Sequence, residues 1–100
     1  MALSLCVSGV FAQDANKVKS EGDEALKAKN YTVAFTKYDQ YLKTNNNQDS
    51  VTVFNCGLSG LNSKNYAGAV KYFDISIKNN YQLPMSYAGK AQALRNMGKT

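Results

Sequence analysis

The sequence predicts an all-α fold: a right-handed solenoid of antiparallel helix pairs, five helices in about two and a half repeats. Three observations carry that expectation. The chain repeats itself, since residues 20–45 laid on 55–80 at an offset of 35 give nine identities in 26 positions. These are Gly22/Gly57, Leu26/Leu61, Lys29/Lys64, Asn30/Asn65, Tyr31/Tyr66, Ala34/Ala69, Asp39/Asp74, Lys43/Lys78 and Asn45/Asn80. They concentrate on the small and aromatic residues that fix helix packing. Apolar residues recur at three- and four-residue steps, the spacing of one helix face. Pro and Gly together are only eight of 100 residues, and 44% hydrophobic content is enough for one packed domain.

The first element, Ala2–Ala12 (ALSLCVSGVFA), is uncharged and mostly apolar or small. Eleven helical residues rise about 16 Å, roughly half of what a bilayer core requires, so the segment is too short to span one. Its length suits the apolar core of a secretory signal peptide, with Val10 and Ala12 as the small residues before a cut at Gln13. No positive charge stands in Met1–Ala2, where such a signal carries one, and the alternative is a short apolar first helix covering the end of the domain. Leu5 before Cys6 is a poor fit to a lipoprotein cleavage box. Cleavage removes Cys6 and leaves Cys56 as a lone thiol, so neither cysteine builds a disulfide scaffold. Residues 1–12 are read as the signal and 13–100 as the repeat domain, with repeats at about 14–46 and 49–81 and a partial one at 84–100.

The helices are expected at about 14–28, 31–44, 50–63, 66–79 and 84–97. Asp14 offers an N-cap for the first, and Asp49 or Ser50 one for the third. The second shows Ala34, Phe35, Tyr38, Tyr41 and Leu42 on one face, and the fourth shows Ala69, Val70, Phe73 and Ile77. Asn45-Asn46-Asn47-Gln48-Asp49 makes a loop, and Pro84 opens the last helix from its first turn. Mid-helix Gly22 and Gly57 cost about 1 kcal/mol each relative to Ala, which close helix approach would offset. Gly98-Lys99-Thr100 reads as a turn towards a sixth helix, so the fifth is either a cap or, as favoured here, part of a longer array.

A repeat of 34 residues built as helix–turn–helix marks tetratricopeptide arrays. The sequence resembles the tetratricopeptide repeat (TPR) family over roughly residues 14–100. A small residue stands midway in each first helix (Gly22, Gly57, Ala91), and a Lys-Asn-Tyr turn follows at 29–31 and 64–66. Ala and an aromatic come next (Ala34 with Tyr38, Ala69 with Phe73). The family's opening Trp is replaced by Val18, Val53 and Tyr87, and no Pro closes the second helices. The resemblance implies that the first helices line a concave groove holding a partner peptide or protein. Its groove positions fall on Asn16, Lys19, Asp23, Leu26 and Lys27, then Val51, Phe54, Asn55, Leu58, Leu61 and Asn62. Met85, Ala88, Gly89, Gln92, Arg95 and Asn96 complete them, with Lys19, Leu26, Phe54, Asn55, Leu58, Met85 and Arg95 as the principal candidates. Phe54, Leu58 and Leu61 lie on one stripe that serves either the groove or the core between repeats. The subfamily that clamps the C-terminal carboxylate of a heat-shock chaperone is not matched. Lys19 and Asn55 fit its pattern, but Asp23, Met85 and Gly89 replace the other amide and cations.

Other functions have weaker support. The absence of His removes most metal sites and His-based catalysis, no Gly-rich phosphate loop exists, and no cofactor, metal or enzymatic activity is expected. Glu21, Asp23 and Glu24 point in different directions on a helix, and Cys56 sits in an apolar helix with no base nearby. A net charge of +5 rests on lysines spread along the chain with the single Arg95, a solvated surface rather than a nucleic-acid stripe. Lys37, Lys43, Lys71 and Lys78 on the second helices leave a minor case for an anionic membrane surface, with no integral membrane segment. The expected function is a protein–protein scaffold of the periplasm or cell envelope, resembling exported TPR proteins of Gram-negative bacteria. The alternative is an assembly arm that self-associates weakly through the fifth helix, at Leu94 and Met97.

Overall fold

The computed structural model describes the backbone of residues 2–98 and the side chains of residues 14–98. Five helices follow in order: α1 (Ala2–Lys27), α2 (Tyr31–Thr44), α3 (Ser50–Asn62), α4 (Tyr66–Lys78) and α5 (Leu83–Asn96). The all-α solenoid of helix pairs is present, and α2 to α5 lie within about one residue of the expected bounds. The first helix differs. It is already helical from Ala2, so Asp14 lies inside it and does not act as an N-cap. Phe11-Ala12-Gln13-Asp14-Ala15 holds no Gly or Pro to interrupt the backbone there. The side chains of the expected export signal, Ala2–Ala12, lie outside the described residues.

The repeated turn explains why α1/α2 and α3/α4 form similar hairpins. Lys29 and Lys64 adopt φ of 61° and 67°, the left-handed conformation that ends a helix. The next residue then donates its N–H back to the helix, Asn30 to Ala25 O and Asn65 to Gly60 O, both at 2.8 Å. The same asparagines cap the following helix, their side chains accepting from the N–H groups of Val33 and Gly68. Asp49 caps α3 by accepting from Thr52 N–H at 3.2 Å and from the Thr52 hydroxyl at 2.8 Å. Pro84 falls in the first turn of α5, as the sequence implies.

Consecutive helices pack in series and α3 also touches α5, giving an elongated body of 53 × 27 × 20 Å. Two apolar layers follow one another along it. The first joins Ala25, Ala34, Tyr38, Leu42, Val53, Cys56 and Tyr72, and the second joins Phe54, Ala69, Phe73 and Ala93. Phe73 is held between two glycines. A Cβ on Gly57 would lie 2.9 Å from its ring, and one on Gly89 only 2.4 Å away. That approach supplies the compensation a mid-helix glycine needs. Between α4 and α5, the hydroxyls of Ser76 and Ser86 lie 2.8 Å apart and both reach Tyr81 O, at 3.0 and 2.9 Å. The two hydroxyl protons fill two of those three contacts at a time, which still leaves each fully buried serine a hydrogen-bond partner.

Candidate functional site

The groove positions divide into residues that hold the repeats together and residues left open. Lys19 belongs to the first group. Its ammonium reaches from α1 to Asp49 at the start of α3, 3.3 Å away, and lies 5.8 Å from the centre of the Tyr41 ring. Asp49 also accepts from the Tyr41 hydroxyl at 3.2 Å. The hydrogen bond and charge of Asp49 raise Lys19 above its ordinary pKa. Burial pushes Asp49 upward, but the Thr52 hydrogen bonds and Lys19 outweigh it and hold the carboxyl below its usual range.

Asp23 accepts from the buried Tyr38 hydroxyl at 2.6 Å, so it joins α1 to α2 instead of facing a ligand. Phe54 is only 8% exposed and meets Phe73 and Tyr81 edge-to-face, with centroids 6.0 and 5.8 Å apart. Its stripe therefore serves the core at this position. Gly89 is buried against Phe73, and Leu26 and Leu61 are half-buried against the first and second layers. Asp23 and Phe54 are engaged by the second helix of their own repeat and its following turn, whereas Gly89 packs against Phe73 of the preceding one.

A second acidic residue escaped the groove assignment. Asp39 of α2 accepts from the Tyr72 hydroxyl of α4 and pairs with Lys43 at 3.1 Å. Burial drives Asp39 upward, yet the Tyr72 hydrogen bond and Lys43 hold it below its usual value. Burial and that carboxylate push Tyr72 far above an ordinary tyrosine. The Asp39/Asp74 identity in the repeat was the available signal, although the two carboxylates make different contacts, Asp39 with Tyr72 and Lys43 and Asp74 with Lys90.

No family model and no curated protein matches the chain. Among solved structures, the crystal structure of a TPR repeats protein from Bacteroides fragilis NCTC 9343 is similar, at 55% identity with a TM-score of 0.83. The match covers 85% of this chain and 38% of that one.

This chain is built of tetratricopeptide repeats. The open residues of the TPR array are now defined. Val51 is 53% exposed and Met85 54%, large apolar side chains on the first helices of successive repeats. Asn55 and Leu58 are half-buried beside Val51 on α3. Asn16, Lys27, Asn62, Ala88, Gln92, Arg95 and Asn96 are exposed. Arg95 donates to Gln92 Oε1 at 3.1 Å, and Gln92 in turn donates to Asn96 Oδ1 at 3.2 Å.

Two cavities lie away from this row. One of about 300 Å³ is bounded by Asn46, Asn47, Gln48, Ser50, Ile75, Lys78 and Asn79. The other, of about 180 Å³, is bounded by Asp14, Ala15, Val18, Gln40, Tyr41 and Thr44. Neither brings together an acid, a base and a nucleophile. Among the described residues no three His, Cys, Asp or Glu side chains are grouped to hold a metal ion, and no helix is long and apolar enough to cross a membrane. The Cys56 thiol is fully buried and pushed far up by burial, which leaves it without thiolate character.

Proposed function

We propose that this TPR array is a non-enzymatic scaffold of the cell envelope that holds a partner peptide or protein along its first helices. The observation that carries it is the open pair Val51 and Met85, apolar side chains more than half exposed on α3 and α5 while the inner faces of both helices are packed. With Lys19, Phe54 and Gly89 engaged in packing, the anchors that remain are Val51, Leu58 and Met85. Asn55 and Arg95 supply the polar contacts. Such a row suits an extended or helical segment with one or two apolar anchors and modest negative charge. Nucleic acid fits less well, because Lys19, Lys37, Lys43 and Lys90 each pair with a carboxylate and do not form one basic stripe.

Placement in the envelope rests on Ala2–Ala12 as an export signal cut before Gln13. Expression of the full chain with a C-terminal tag tests it. N-terminal sequencing of the mature protein in the envelope fraction should begin at Gln13, and a cytosolic chain retaining Met1 would refute export. The groove is tested by affinity capture from envelope extract with the parent and with Val51→Lys/Met85→Lys. Both positions are exposed, so the variant should keep its circular dichroism spectrum while losing the captured partner. Equal capture by both would move binding off this row.

A further inference from the structure

The loops that join the repeats differ by one residue, and the longer one builds a cavity wall. The first two repeats are offset by 35 residues and the third by 34, the usual length of a helix–turn–helix unit. Five residues, 45–49, separate α2 from α3, whereas four, 79–82, separate α4 from α5. The longer loop turns through Asn46 and Asn47, successive left-handed residues with φ of 58° and 61°. Asparagine tolerates that conformation better than most residues with a Cβ. Backbone bonds fix the turn, Asn47 N–H to Leu42 O at 3.0 Å and Gln48 N–H to Asn45 O at 3.3 Å. The loop so held faces the last turn of α4 across the cavity of about 300 Å³. Both walls come from the first two repeats, away from the α5 end of the array.

The cavity has one chemical character. Four carboxamides line it, Asn46, Asn47 and Gln48 from the loop and Asn79 from the end of α4, with the Ser50 hydroxyl and the Lys78 ammonium. Among the described residues, none of these six side chains makes a hydrogen bond or an ion pair within the chain. Other asparagines spend theirs on the backbone, Asn30 and Asn65 as helix caps and Asn62 on Leu58 O. No carboxylate lines the cavity, and the adjacent Asp49 is taken by Lys19, Thr52 and Tyr41. Ile75 supplies an apolar patch on the α4 side.

These groups select a ligand by elimination. Lys78 repels a cation. A bare anion uses only the donor half of each carboxamide and leaves the amide oxygens without partners. Hydroxyl groups donate and accept as carboxamides do, so a polyol satisfies both halves. One carboxylate on that polyol takes Lys78 in a charge-assisted hydrogen bond. The C–H face of a sugar ring packs on Ile75, and the volume lies at the lower end of ligand pockets, roughly 300–1,000 Å³, which suits a single ring. We propose that this cavity binds an acidic sugar, one hexuronate unit, at the junction of the first two repeats. The site is separate from the Val51–Met85 row, and the two fail independently.

The test titrates the full chain with galacturonate and follows the amide shifts. Galactose serves as the matched probe without a carboxylate, and acetate and N-acetyl-dialanine carry a carboxylate without the hydroxyls. Galacturonate should give saturable shifts at residues 46–50 and 79, and the three other probes should bind about fivefold more weakly or worse. Lys78→Gln should lower galacturonate affinity to that of galactose, and Gln48→Ala/Asn79→Ala should weaken both sugars about fivefold. All three positions are exposed, so the variants should keep the circular dichroism spectrum of the parent. Val51→Lys/Met85→Lys should leave the sugar affinities unchanged. With binding established, a tetragalacturonate held about tenfold more tightly assigns the site to a polysaccharide, and equal affinity assigns it to the free sugar. Absence of saturable shifts, or shifts outside the cavity, would overturn the proposal. So would acetate or N-acetyl-dialanine binding as tightly as galacturonate, since the cavity would then be an anion or peptide-terminus site. Unchanged galacturonate affinity in the folded Lys78→Gln variant would refute it as well.

Discussion

Helices α3 and α5 occupy the same place in successive repeats and have almost the same length, yet they meet their surroundings differently. In α3, Thr52, Val53, Phe54, Cys56, Gly57, Ser59 and Gly60 are all buried, because α2 and α4 flank it. In α5 only Ser86, Gly89 and Ala93 are buried, and Tyr87 stands more than half exposed one register from Val53. Phe54 and Tyr87 are both large aromatics on first helices, but only Phe54 has a neighbour on every side. Burial in a solenoid is set by which repeat comes next as much as by the residue itself, since each unit contacts only its neighbours.

The largest consequence of that contrast lies in stability. Phe54→Ala should cost about 3 kcal/mol, a large part of the total for a domain of this size. Tyr87→Ala should change stability by no more than about 0.5 kcal/mol. Urea titrations followed by circular dichroism measure both. Equal losses would mean that the fifth helix is as fully packed as the third. The next effect concerns the bond joining the repeats. Tyr72→Phe removes the hydroxyl from Asp39 and should cost about 1.5 kcal/mol. Tyr66→Phe, whose hydroxyl makes no hydrogen bond among the described residues, serves as the neutral comparison.

The same carboxylates give the array an acid-sensitive side. Asp39 and Asp49 are held below their ordinary values in the folded chain. As pH falls, the unfolded chain takes up those protons first, at about pH 4. Their contribution is therefore fully present above that range and is lost as pH falls through the folded values. Melting temperature should drop on acidification, and Asp39→Asn should flatten the drop. An unchanged acid profile in that variant would remove Asp39 from the linkage. The smallest effect belongs to the turns. Lys64→Gly relieves a left-handed residue and should stabilise by about 0.5 kcal/mol in thermal melts, with Lys29→Gly behaving alike.

Much of this fold was legible in the sequence because helix packing leaves a periodic trace. The 35-residue offset, the glycines opposite Tyr38 and Phe73, and the cap at Asp49 all appear in the chain as spacing. The contacts that cross between helices left less. Asp23 and Tyr38 are 15 residues apart, and Asp39 and Tyr72 are 33 apart. Nothing local distinguishes those carboxylates from solvated ones. Lys19 reads as a groove cation until the start of α3 is placed beside it. Phe54, Leu58 and Leu61 share one stripe whose orientation is decided by contacts distant in sequence, Phe73, Tyr81 and Ala93 among them, so periodicity alone left groove and core open. Asn30 and Asn65 were visible as turn residues, but their capping role depends on the left-handed lysine before each one.

The most direct measurement places a photo-activated cross-linking residue, one at a time, at Val51, Met85 and Lys71 of the full chain in cells. The first two sites lie on the open row of first helices, and the third on the exposed side of α4. Adducts of one partner at positions 51 and 85, and none at 71, are expected from a scaffold that binds along its first helices. Adducts at 71 with silence at 51 and 85 would contradict it.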